Sequence, residues 1–133
     1  MVLGSGPLEV TAAVGLVQAI PRVTLVCPHD RLLPEHLDEG ASDLVKRHLD
    51  VLGVRVEFGM AAAPMGGGPP ATSLRMSDGR QLPCDMLVVG EDSASAEPHP
   101  MATHLGLPGL DVISLGRVNA GPDDVVVSLR DSE

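Results

Sequence analysis

Two glycines one residue apart, Gly4 and Gly6, follow directly on the apolar pair Val2 and Leu3, and Pro7 comes next. Val2-Leu3 reads as the end of a buried strand. Pro7 suits the first turn of a helix, where its missing N–H costs no bond and its fixed φ is already helical. A chain that must turn from strand to helix within three residues needs backbone freedom that only glycine supplies cheaply. Val10, Ala13, Val14 and Val17 then recur at helical spacing, with Ala12 and Gly15 small enough for close packing on a sheet. Pro21 closes this helix, and Val23-Thr24-Leu25-Val26 is a continuous apolar run of the kind a parallel strand buried on both faces requires. The chain therefore opens as a β-α-β unit with a glycine turn at its head, a context in which backbone amides and the helix dipole favour a phosphate group.

The next hundred residues extend this pattern. Leu37, Ala41, Leu44, Val45, His48 and Leu52 line one face of a second helix, with Asp38 and Glu39 near its start and Gly53 as its stop. His48 on that face reads as a packed histidine with one satisfied nitrogen. Val54, Val56 and Phe58 alternate with Arg55 and Glu57, giving a third strand with one face more solvated. Met65-Gly66-Gly67-Gly68-Pro69-Pro70 is a loop, because neither helix nor central strand tolerates that density of Gly and Pro. Ser73-Leu74-Arg75-Met76 and Gln81-Leu82-Pro83 flank Ser77-Asp78-Gly79-Arg80 as a hairpin whose Asp-Gly pair fits a turn with positive φ. Met86 to Gly90 is a further buried strand returning to the parallel sheet, which closes a domain near Glu91. Residues 92–104 have the low periodicity of a linker. Val112 to Leu115 and Val125 to Leu129 are strand-like, so 105–133 reads as the β-rich start of a truncated following segment. A chain of 133 residues holds one main core and an appendage.

Composition narrows the function. With no Trp, no Tyr and Phe58 as the single aromatic, the chain lacks a stacking platform for bases, and its formal charge of -9 repels nucleic-acid backbones and anionic lipid surfaces. A phosphate-bearing ligand must be held locally, by backbone amides or a few arginines. No apolar run reaches membrane-span length and no signal-peptide pattern opens the chain, so the expected compartment is the cytoplasm and no membrane partner is expected. Cys27 and Cys84 form no C-x-x-C pair and read as two buried thiols rather than a disulfide or redox centre. The five histidines lack metal-ligand spacing, the acidic residues around the second helix read as a solvated face, and no G-x-S-x-G elbow supports serine chemistry.

The ordered series Gly4-Ser5-Gly6, Val23-Thr24-Leu25-Val26, Arg31-Leu32-Leu33-Pro34, Ser77-Asp78-Gly79 and Asp85-Met86-Leu87-Val88-Val89-Gly90 resembles the NAD(P)H-binding domain of FAD-dependent pyridine nucleotide-disulfide oxidoreductases. The match spans residues 1–91. The tail from Thr103 through Gly116 to Asp131 resembles, more loosely, the segment after the flavin module in nitrite reductase large subunits and rubredoxin reductase relatives. The resemblance implies an α/β fold, a Rossmann-like parallel sheet flanked by helices with a small antiparallel β excursion, in which 1–91 bind NAD(P)H. It implies a partner FAD-binding domain or chain whose flavin accepts the hydride. It places Gly4, Ser5, Gly6, Pro7, Leu8, Cys27, Arg31 and Gly90 at the dinucleotide, with no catalytic residue and no metal of the chain's own.

Two positions depart from the family pattern. Glu9 stands where G-x-G-x-x-G has its third glycine, and the dipole argument directs its carboxylate outward from the pyrophosphate. Cys27 stands at the end of the second strand, where the family commonly has an acid for the adenosine ribose. Its thiol is a poor acceptor, and Arg31 four residues on offers a charge to a 2′-phosphate, which leaves NADH and NADPH both open. No second glycine fingerprint or later Gly-Asp motif supplies an FAD site. The sequence thus expects an NAD(P)H-binding module that is incomplete alone. The alternatives are a degenerate Rossmann domain kept as a structural or interaction module, or a gene fragment.

Overall fold

The computed structural model describes residues 1–59, 61–65, 73–90, 102–115, 118, 119, 121–125 and 127; for 61–65 and 102 it describes the backbone alone. The order of elements is β1 (Val2–Leu3), α1 (Pro7–Val17), β2 (Val23–Cys27), α2 (Glu39–Leu52), β3 (Val54–Phe58), β4 (Ala61–Met65), β5 (Ser73–Met76), β6 (Gln81–Pro83), β7 (Val88–Val89), β8 (Ala102–Leu107) and β9 (Leu110–Leu115). Met65, expected to open the loop 65–70, instead ends β4, and 102–104, expected to close the linker 92–104, begin β8; the remainder of both stretches lies outside the described residues.

The chain has a Rossmann-like α/β fold. Its four-stranded sheet runs β3-β2-β1-β7, every pair parallel, with Val2 opposite both Leu25 and Val88 and Leu3 opposite both Val26 and Val89. Successive residues point to opposite faces, and the core divides accordingly. Val2, Leu25, Cys27 and Val54 pack with Val10, Ala13 and Val14 of α1 and with Val45 and Leu49 of α2, whereas Val26 packs with Leu74, Met76 and Leu3 beneath the antiparallel sheet β4-β5-β6. Both helices thus lie on one face, and the antiparallel excursion covers the other. An ion-pair cluster joins the excursion to the edge of the parallel sheet: Arg80 in the β5–β6 turn reaches Glu57 of β3 at 2.9 Å, and Arg55 reaches the same carboxylate at 2.6 Å. Hydrogen bonding from Arg80, then from Arg55, outweighs burial and holds Glu57 below its ordinary acidity range.

Local signals account for the element ends. Asp38 caps α2 by accepting from the Ala41 N–H at 2.7 Å, and Gly53 ends it at φ +89. The buried stripe of α2 runs Ser42, Val45, Leu49, so Leu44, expected on that face, stands on its shoulder, 46% exposed. Ser42 tolerates burial because its Oγ accepts from the Leu32 N–H at 3.0 Å. Gly15, expected to permit close packing on the sheet, faces solvent, and a Cβ there would meet nothing within 4 Å. The strand expected at Met86 to Gly90 shortens to β7 and is not buried: it ends the sheet order, and Val89 stays 58% exposed.

The hairpin β8–β9 joins the helical face. Its strands pair antiparallel from Ala102 opposite Leu115 to Leu107 opposite Leu110, around a turn in which Gly109 takes φ +79. Leu105 and Leu107 enter the main core with Leu110 and Val112 beside them, and Ile113 and Leu115 point outward. The His48 ring bonds Pro108 O through Nε2 at 2.7 Å, and Thr103 Oγ1 lies 2.9 Å from His36 Nδ1. Val112 to Leu115, which the sequence sets beside Val125 to Leu129, pairs instead with 102–107; the described Val125 and Val127 lie outside any strand.

Candidate functional site

From β1 the chain moves outward to β2 and β3, then returns to the other side of β1 as β7. The strand order thus reverses at β1, and such a reversal opens a crevice where α/β proteins bind ligands. Gly4 leaves β1 at φ +139, a conformation side chains rarely adopt, and its N–H donates to Val26 O at 2.9 Å. Gly6 is the N-cap of α1 in extended conformation with no side-chain cap, and Pro7 is the first helical residue. The first intrahelical bond runs from the Val10 N–H to Gly6 O at 3.1 Å. The amides of Leu8 and Glu9 are thus the free positive end of the helix. Gly90 forms the opposite wall, its N–H donating to Leu3 O at 3.2 Å.

Glu9 does not point outward. A Cβ on Gly4 would lie 2.5 Å from its Cγ, a Cβ on Gly6 would lie 2.7 Å from its Oε2, and a Cβ on Gly90 would collide with its Oε1. The carboxylate sits between three glycines at the mouth of the crevice. The dipole argument for an outward rotamer fails because the positive end of α1 is the crevice itself, and an acid at the third helical position reaches it by folding back.

Of the two thiols expected to be buried, Cys27, ending β2, is fully so, whereas Cys84, just past the short strand β6, is only half-buried. Burial, and then the Glu9 carboxylate, push the Cys27 thiol up to about 12. A raised thiol pKa means that the folded state holds the proton longer than the unfolded one. The associated stabilisation is complete below about pH 9 and is lost as pH rises towards about 12. The melting temperature of the parent is therefore expected to fall more steeply between pH 9 and 11 than that of Cys27→Ala. Iodoacetamide at pH 8 is expected to leave Cys27 unmodified until urea is added, read by peptide mass spectrometry; alkylation of the native chain at Cys27 would show the thiol to be accessible.

Arg31 follows in the β2–α2 loop. Its Nη2 donates to Pro34 O at 3.3 Å and to Asn119 Oδ1 at 3.0 Å, and its buried Nε has no hydrogen-bond partner among the described residues. The loop is fastened to the glycine turn by the Leu33 N–H, which donates to Ser5 O at 2.9 Å, with Leu33 buried at φ +49. The structure thus brings Gly4, Gly6 and Gly90 together around Glu9, sets Cys27 at the end of the adjoining strand, links Ser5 to the Arg31 loop, and leaves Leu8 73% exposed beside Pro7. Two participants had not been singled out. Ser42 was visible only as the residue three before Val45, and Asn119 carries no local signal because its partner is 88 positions away. Among the described residues, no cluster of His, Cys, Asp or Glu is arranged to hold a metal, and no helix is long and apolar enough to cross a membrane.

No known family's sequence profile matches the chain, and no curated protein matches it by sequence. Its fold matches solved oxidoreductases. A ferredoxin reductase from Rhodopseudomonas palustris is 27% identical with a TM-score of 0.61, over 68% of this chain and 22% of that one. A NAD-dependent persulfide reductase from A. fulgidus is 26% identical with a TM-score of 0.63, over 68% and 17%. A FAD-dependent pyridine nucleotide-disulphide oxidoreductase from Desulfovibrio vulgaris shares the fold at 20% identity with a TM-score of 0.60, over 65% and 22%. The matched region is about a fifth of the length of these neighbours. These structural neighbours are thus oxidoreductases, among them a ferredoxin reductase and a NAD-dependent persulfide reductase.

Proposed function

We propose that this chain is the NAD(P)H-binding module of an FAD-dependent oxidoreductase, presenting the nicotinamide to a flavin held on another domain or chain. The observation that carries this reading is the glycine-walled crevice between β1 and β7, at the free amino end of α1. Gly4 to Leu8 would hold the diphosphate: the absence of Cβ atoms admits a close approach and the Leu8 and Glu9 amides face the negative charge. Cys27 and Arg31 would border the adenosine ribose, and Gly90 the far wall. Backbone shape fits the dinucleotide; the Glu9 side chain must move for the phosphates to enter. Bound NAD(P)H supplies the hydride, and this chain's own work is to bind and orient it. The FAD is assigned to a partner. Within the class, the looser sequence resemblance of the tail from Thr103 to Asp131 to the segment after the flavin module supports a kinship with nitrite reductase large subunits and rubredoxin reductase relatives.

Isothermal calorimetry of the full chain with NADH and NADPH tests the reading, and a Kd between about 1 μM and 1 mM is expected, worth about 8 to 4 kcal/mol. The second reading, a Rossmann-like scaffold kept for structure or protein contact, is favoured by one observation: Arg31 is already engaged by Pro34 O and Asn119. A folded chain giving no heat with either nucleotide, with Glu9→Ala equally silent, would favour that reading instead.

A further inference from the structure

We propose that the Glu9 carboxylate is an internal stopper of the diphosphate cradle, occupying the place that a ligand phosphate takes, so that a dinucleotide binds only when this side chain swings out. The inference rests on the dinucleotide reading and deepens it by naming what controls access. Three independent walls locate the carboxylate: Gly4 after β1, Gly6 at the head of α1 and Gly90 after β7. The last belongs to a strand 80 residues away, so the side chain bridges the crevice and does more than decorate its own helix.

The carboxylate fills the space between Gly4, Gly6 and Gly90 beside the free amides of α1, and a phosphate drawn to those amides needs the same space. Among the described residues no cation pairs with Glu9. Rotation about its side-chain bonds would clear the cradle without moving the backbone. The stopper is therefore a competitor of fixed, intramolecular concentration, lowering the apparent affinity by the fraction of time it is in place.

The test is calorimetry of the full-length parent, Glu9→Ala and Glu9→Gln with NADH, NADPH and, as a probe lacking phosphate, adenosine. Circular dichroism checks that each variant is folded, and Glu9→Gln, which keeps the shape and removes the charge, stands in should Glu9→Ala unfold. The expected result is that Glu9→Ala binds a dinucleotide at least about tenfold tighter than the parent, about 1.4 kcal/mol, with Glu9→Gln between them and adenosine unchanged. A parent that binds NADH as tightly as both variants overturns the stopper and leaves the dinucleotide reading standing. If no protein of the three binds either dinucleotide, that reading falls and the stopper with it. A gain of the same size for adenosine also overturns the proposal, since the effect would then not concern phosphate.

Discussion

A chain ended before Ala102 is expected to lose its cooperative thermal transition. The hairpin β8–β9 places Leu105 and Leu107, 3% and 7% exposed, in the same core as Val10, Val14, Val45 and Leu49. Covering each leucine is worth about 1.5–3 kcal/mol, so the pair contributes about 3–6 kcal/mol, set against a typical domain stability of about 5–15 kcal/mol. Removing the hairpin also deprives the His36 and His48 rings of Thr103 and Pro108 O, and uncovers the apolar face between α1 and α2. The truncated chain is expected to show a broad, low-amplitude melt by circular dichroism and to bind a hydrophobic dye. Leu105→Ala and Leu107→Ala are expected to give graded losses of about 2–4 kcal/mol each in urea titrations of the full chain. A truncated chain that melts at the temperature of the parent would show the hairpin to be an appendage.

The hairpin marks where the sequence ceased to be legible. Elements determined by neighbours in the chain were readable: the Gly4-Ser5-Gly6 turn before Pro7, the β2 run, the Asp38 cap and Gly53 stop of α2, and the Asp78-Gly79 turn between β5 and β6. β8 was not, because Ala102-Thr103-His104-Leu105-Gly106-Leu107 carries weak strand propensity. Its alternation becomes visible only beside β9, where Leu105 faces Val112 and Leu107 faces Leu110. Val112 to Leu115 was readable as a strand but not by its faces, for the apolar Ile113 and Leu115 are 65% and 72% exposed. At the candidate site the glycines were legible from spacing, for they answer a local backbone demand. The direction of Glu9 was not, because it depends on the empty space that Gly90 leaves from 81 positions away, which no helical rule encodes.

That space can be measured without any ligand, by comparing alanine at two of the glycines with and without Glu9. Gly90→Ala puts a methyl group into the Glu9 carboxylate, the far end of a flexible side chain that must swing aside, at an expected cost of about 1 kcal/mol. In a Glu9→Ala background the obstacle is a flexible side chain that has been removed, and Gly90 has no positive φ to forbid a Cβ, so the same substitution is expected to be nearly neutral. Gly4→Ala meets Glu9 as well, with Cγ 2.5 Å from the new Cβ, but it also forces an alanine to φ +139. Part of its cost, about 1–3 kcal/mol for a side chain held in a forbidden region, is therefore expected to persist when Glu9 is gone. Urea titrations of the three single and two double variants, beside the parent, give two coupling energies. A full coupling of Gly90 with Glu9, beside a partial coupling of Gly4 with Glu9, places the carboxylate between β1 and β7 by energetics alone. Strict additivity of Gly90→Ala and Glu9→Ala would put the side chain elsewhere, and the positive end of α1 would then be open to a phosphate without any rearrangement.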